Sequence, residues 1–154
     1  MEKQDQIKLF KQRAEAVQTS VTDVSTLQQA FLYAIEVTKN QGGATMAAPA
    51  LGQKEHSQLA ELCHQADITL LTDGLRAHVG KIQTGLTLSD WGIAETATLV
   101  LDSTLEDMRI ATMLSETHVA VLPKSRIRDE ATELEPELSE AMRNGPRYLS
   151  FISG

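Results

Sequence analysis

Glu95, Thr96 and Thr98 stand together in the run Trp91-Gly92-Ile93-Ala94-Glu95-Thr96-Ala97-Thr98-Leu99-Val100-Leu101-Asp102. One carboxylate and two hydroxyls thus fall where an apolar segment passes into a β-rich one. A charge among apolar neighbours calls for a partner, because burying a bare ion costs far more than burying a paired one. Two candidate partners follow, Arg109 and His118. A carboxylate at a strand edge can serve as general base, covalent nucleophile or anchor for a substrate hydroxyl. It can equally form an ion pair or a cap, with Arg109 for example, that only organises the loop. The residues by themselves leave these readings even.

The companions carry weaker signals. Arg109 offers a planar fork suited to a carboxylate or phosphate. It follows the acidic stretch 102–108, so Glu106 and Asp107 compete for it, and exposed pairs of that kind stabilise little. His118 opens a predicted strand and could act as acid, base or hydrogen-bond donor, although a lone histidine there is more often structural. In a regular strand Thr96 and Thr98 share one face, opposite Glu95 and Ala97. Glu95 and Thr96 can therefore meet in one site only if the chain turns between them. Alternating threonines also suit a pleated surface for its own sake. Thr84 and Asp90, on the approach to this run, are secondary pocket candidates, with a turn and a helix cap as the simpler reading.

Other chemistries find little support. Gly42-Gly43 and Gly80-Lys81-Ile82-Gln83-Thr84-Gly85 have glycines but not the order of a Walker loop or a dinucleotide fingerprint. His56, His64, His78 and His118 show no metal-ligand spacing, so no metal is expected. The single cysteine, Cys63, rules out an internal disulfide and any iron–sulfur cluster held only by this chain's thiolates. It falls on the predicted inner face of a helix with no adjacent cation, which reads as a buried, inert thiol. A formal charge of −7 argues against nucleic acid, whose binding is dominated by Lys and Arg. The short basic cluster Lys124, Arg126 and Arg128 reads as a solvated loop. No apolar run reaches the roughly 18–20 residues of a membrane span, and the polar N-terminus lacks a signal peptide's apolar middle. A cytoplasmic protein without membrane insertion is the expectation.

The elements that must position these residues follow from periodicity. Ile7, Phe10, Ala14 and Val17 predict an amphipathic helix over about 3–19. Leu27, Phe31, Ala34 and Ile35 predict a second, capped by Asp23 or Ser25 and ended by Gln41-Gly42-Gly43. A short strand at 44–49, a helix over 52–66 with Leu59, Leu62, Cys63 and Ala66 inward, and a buried strand at 67–74 come next. Strands are expected at 97–102, 117–122 and 148–153. Short helices are expected at 109–114 and from Leu134 to Met142, the latter stopped by Asn144-Gly145-Pro146. Alternating helices and apolar strands make a layered α/β protein with a largely parallel sheet, mixed if 93–101 forms a hairpin. At 154 residues one domain is expected, with an N-terminal helical portion over about 1–40.

The Ala94-to-Thr98 stretch resembles the Ala-Glu-Thr-Gly-Thr core of the LUD domain, the lactate-utilization family whose protein C type serves bacterial lactate oxidation. Arg109 and His118-Val119 stand where that family places an Arg and a His-Ile/Val pair. The resemblance runs from about Thr84 to Leu122 and returns weakly at Phe151-Ile152-Ser153-Gly154. It implies a three-layer sandwich similar to ribose-5-phosphate isomerase, glucosamine-6-phosphate deaminase and the coenzyme A transferases. It also implies an accessory or binding subunit of an L-lactate oxidising system that acts with separate iron–sulfur subunits, binds a small anionic ligand and has no cofactor of its own. Glu95 is the catalytic or orienting candidate, with Arg109 pairing the ligand's carboxylate; Thr96, Thr98, His118, Thr84 and Asp90 complete the set. Two alternatives stay open: an independent enzyme acting on a sugar phosphate or coenzyme A thioester, and an interaction domain without catalysis. Ala97 departs from the family's glycine, which permits positive φ or close approach of a ligand. The chain also stops at Gly154, short of the Pro-Ser-Arg-Thr-like segment of its relatives. It therefore reads as truncated or naturally shortened, with an uncovered strand open to a homo-oligomeric contact.

Overall fold

A computed structural model describes residues 2–145 and 147–153. Pro146 of the expected helix stop and Gly154 of the C-terminal resemblance lie outside the described residues. The chain forms two compact units, each built from separated stretches: Asp23–Leu88 with Leu105–Val121, and 1–22 with Ser89–Thr104 and 122–154.

The unit made by Asp23–Leu88 and Leu105–Val121 is a layered α/β structure. Its helices are α2 (Leu27–Asn40), α3 (Gln53–Gln65) and α4 (Glu106–Met113), the numbering leaving α1 for the N-terminal helix Lys3–Ala16. Its strands are β1 (Thr45–Ala47), β2 (Thr69–Leu71), β3 (Thr84–Leu88) and β6 (Thr117–Val121). They pair in the order β2-β1-β3-β6, every pair parallel. Side chains alternate across the sheet with the two-residue period of a strand. Met46, Ala48 and Leu86 join Phe31, Ala34, Ile35, Leu59 and Cys63 in a core against α2 and α3. Ala47 faces the other way and packs with Leu75, Ile82, Ile110 and Ala111 beneath α4. Helices thus cover both faces, as parallel strands require. The α/β class with a largely parallel sheet is as the sequence predicts.

Details differ where tertiary context wins. α2 is capped by the Thr26 hydroxyl, which accepts from the Gln29 N–H, instead of by Asp23 or Ser25. β2 lies at the sheet edge and is only partly buried. β3, next to the middle of the sheet, is a strand the sequence did not mark, because Thr84-Gly85-Leu86-Thr87-Leu88 is buried on both faces and shows no alternation. Gly85 is needed there: a Cβ would overlap the Ala111 carbonyl oxygen of α4 and crowd Ser115.

In the other unit, β4 (Trp91–Ile93), β5 (Thr98–Asp102), β7 (Ile127–Arg128) and β8 (Leu149–Ser153) pair in the order β7-β4-β5-β8. The β4–β5 and β5–β8 pairs are antiparallel and β4–β7 is parallel. The hairpin alternative for 93–101 is therefore the one realised. Ile93, Val100 and Leu134 form its core, with Leu138 of α5 (Glu135–Arg143) and Trp91 packed alongside. α1 docks through Ala14 and, unexpectedly, Gln6, whose Nε2 donates to Asp129 Oδ1 at 2.7 Å, while Val17 is left exposed.

Candidate functional site

Glu95 and Thr96 are the tip of the β4–β5 hairpin. Ala94 to Ala97 make its four-residue loop, closed by the Ala97 N–H donating to the Ala94 carbonyl at 3.3 Å. The chain does turn between Glu95 and Thr96. The loop is tied down from the side: the N–H groups of Ala94 and Glu95 donate to the carbonyls of Arg128 (2.8 Å) and Asp129 (3.1 Å), extending the β4–β7 pairing. Ala97, where the family has glycine, adopts φ +50° and is buried. A Cβ makes this left-handed conformation unfavourable, at a cost of roughly 1–2 kcal/mol. A residue held in such strain marks a backbone shape that its surroundings over-determine.

Three hydroxyls run behind this tip. Thr96 Oγ1 lies 2.7 Å from Thr98 Oγ1, which in turn hydrogen-bonds Ser153 Oγ across the β5–β8 pair. Thr98 is buried, whereas Thr96 and Glu95 are exposed. Among the described residues the Glu95 carboxylate has no hydrogen-bond or ion-pair partner within its unit. Such a group is open to accept a ligand hydroxyl or a proton. Asp90, at the entry to β4, is engaged structurally: its Oδ2 accepts from the Asp102 N–H at 2.8 Å and its own N–H donates to the Val100 carbonyl.

The remaining candidates belong to the parallel-sheet unit. His118 on β6 is half-buried, and its Nε2 is 2.7 Å from Thr87 Oγ1 on β3. Burial pushes the imidazole down to about 4, so the ring is neutral at pH 7 and can donate from one nitrogen and accept at the other. Thr84 is fully buried and shares a 2.6 Å hydrogen bond with Thr38 Oγ1, which also reaches the Ala34 carbonyl. Its position makes it a link between β3 and α2. Arg109 is half-buried on α4. Of the neighbouring acids, Glu106 pairs with Arg76 at 2.7 Å, and Asp107 accepts from the Gly74 and Leu75 N–H groups. Burial pushes the Cys63 thiol up to about 11, which keeps it protonated and unreactive.

The two glycine motifs without a nucleotide-loop order meet in space. Gln41, Gly43, Thr45, Gly80, Lys81 and Glu116 line a shallow hollow of about 500 Å³ at the N-terminal ends of the parallel strands. One cation and one anion there offer no net positive charge for a phosphate. Among the described residues no group of three or more His, Cys, Asp or Glu side chains could hold a metal ion, and no helix is long and apolar enough to cross a membrane.

The sequence reading missed one arrangement near the hairpin. Arg126 and Arg128 stand over the Trp91 ring, their guanidinium carbons 4.7 and 4.8 Å from its centroid. Lys124 and Arg126 are exposed, as a solvated loop requires, yet two of the three cations also lie on the chain's single tryptophan. The signal available was a basic trio in an acidic chain, but only the parallel pairing of β7 with β4 brings it to Trp91.

A covered parallel sheet and a strained, carboxylate-bearing hairpin define the class: a layered α/β protein with a candidate ligand-binding turn. The chain belongs to the LUD domain family, whose model matches residues 7–154. Among curated proteins it is similar to lactate utilization protein C 1 of Bacillus mycoides, 37% identical over 73 residues, which is 46% of this chain and 31% of that protein. Lactate utilization protein C of Bacillus velezensis is 33% identical over 73 residues, 46% of this chain and 30% of its own length. These matches span about a third of the length of the relatives. Among solved structures, a DUF162 family protein from Deinococcus radiodurans has the same fold, with a TM-score of 0.71 and 19% identity over 99% of this chain and 89% of that one.

Proposed function

We propose that the chain acts in bacterial L-lactate utilization as a binding or accessory component that carries no redox centre and works beside separate iron–sulfur subunits. The observation that carries this reading is the family match over residues 7–154, joined to the names of the relatives, lactate utilization protein C. The single, buried and protonated Cys63 supports a division of labour, since clusters of the common type need four thiolates. In this proposal the Glu95 turn orients a small hydroxy-acid ligand. Thr96 supplies a hydroxyl held from behind by the buried Thr98, and Ala97 bears strain to keep the turn in shape. Arg109 and the neutral His118 are the ligand-binding candidates of the parallel-sheet unit, where Thr84 ties β3 to α2; Asp90 supports the β4–β5 hairpin in the other unit.

Two experiments test it. Affinity purification of the tagged chain from cells grown on L-lactate should recover iron–sulfur proteins in fixed ratio; recovery of the chain alone under those conditions refutes the partnership. A thermal-shift titration of the isolated chain with L-lactate and pyruvate tests the turn. The shift is expected to vanish in Glu95→Gln while the unliganded Tm stays put, and no shift in the wild type, or one unchanged by the substitution, refutes the role of Glu95.

A further inference from the structure

We propose that Arg126, laid over the indole of Trp91, is the anchor of a small-oxyanion site, taking a carboxylate or a phosphate through its in-plane N–H groups. Three observations converge on it. Arg126 is exposed, with its guanidinium carbon 4.7 Å from the Trp91 centroid. Among the described residues that guanidinium makes no hydrogen bond and no ion pair. Stacking on an aromatic face holds a guanidinium without using its donors, so the fork that matches two coplanar oxygens stays available and pre-oriented.

Its neighbour shows what a satisfied arginine looks like in the same place. Arg128 shares the ring at 4.8 Å, but its Nη1 donates to the carbonyls of Ser125 (3.0 Å) and Ile127 (3.2 Å), and its Nη2 stands 3.8 Å from Glu137. Lys3 adds a further cation to the loop by donating from Nζ to the carbonyls of Lys124 and Ile127. Positive charge is therefore gathered on one short segment of a chain whose net charge is −7. The site is separate from the role given to Glu95, and either can fail without the other.

Trp91 is the only tryptophan, so its emission reads the site directly. The intact chain is titrated with sodium acetate, sodium L-lactate or sodium phosphate, each at ionic strength held constant with sodium chloride. A saturable change is expected, with half-saturation on the order of 1–10 mM for a single partly hydrated fork. Arg126→Lys, which keeps the charge and loses the fork, should weaken binding about tenfold or more, and Arg126→Ala should abolish it. Saturation by carboxylates alone, by phosphate alone, or by both supports the site and identifies its anion. A response that never saturates, that chloride reproduces, or that both variants retain overturns it. Should a variant fail to fold, the wild-type Arg126 Nε–H resonance decides: it shifts with the anion if the site exists and stays fixed if it does not.

Discussion

Protonating His118 should unfold the parallel-sheet unit more readily than the general effect of acid. The ring is half-buried, its Nε2 is 2.7 Å from Thr87 Oγ1, and burial holds its pKa at about 4 against the ordinary 6.5. The folded state thus binds a proton less readily than the unfolded state, so between these two values unfolding takes up protons and stability falls as pH falls. Above pH 6.5 the contribution is complete. At pH 5 roughly 2 kcal/mol of it is gone, and below pH 4 the whole of about 3 kcal/mol is lost, at 1.36 kcal/mol per pKa unit. Carboxylates titrate in the same window, so the assay is a comparison: urea unfolding of the wild type and of His118→Gln at pH 7.5, 6, 5 and 4.5. Glutamine keeps a hydrogen-bonding group for Thr87 without a proton to gain. The wild type should lose about 2 kcal/mol more than the variant between pH 7.5 and 5. Parallel pH profiles, or an NMR titration placing the His118 ring near 6.5, would refute the reasoning.

Gly85→Ala should destabilise by roughly 3 kcal/mol or prevent folding, because the new methyl overlaps a helix carbonyl that cannot retreat without moving α4; near-wild-type urea midpoints would show that the strand and helix are not so closely packed. At Ala97 the expected order is glycine within about 1 kcal/mol of wild type, since relief of left-handed strain is offset by chain entropy and a lost buried methyl, and valine at least about 2 kcal/mol below it. Thermal melts of both variants check that order, and a tolerated valine would mean that the turn is not left-handed. Cys63 should resist iodoacetamide at pH 8 until the chain is unfolded in urea, and labelling of the native protein at the rate of a free thiol would contradict its burial.

Much of the framework was written locally. The stripe Leu27, Phe31, Ala34 and Ile35 has one helical solution, and α2 buries Phe31, Ala34 and Ile35 as that stripe requires. Leu59 and Cys63 mark the inner face of α3 for the same reason. Composition and the cysteine count also bound the chemistry. What remained hidden depends on contacts far apart in the chain. β3 carries no alternation because both its faces are covered, so only its neighbours β1 and β6 make it a strand. Thr84 and Thr98 look alike as isolated residues; packing sends one hydroxyl to Thr38 of a helix and the other to Ser153 of a distant strand. The left-handed backbone at Ala97 has no local signature, since alanine ordinarily avoids it; the loop that contains it is held by the carbonyls of Arg128 and Asp129, far along the chain. The basic trio could not be told from a solvated loop by composition. Periodicity reports which face of an element is apolar, but a cation over a ring more than thirty residues away exists only once β7 lies beside β4.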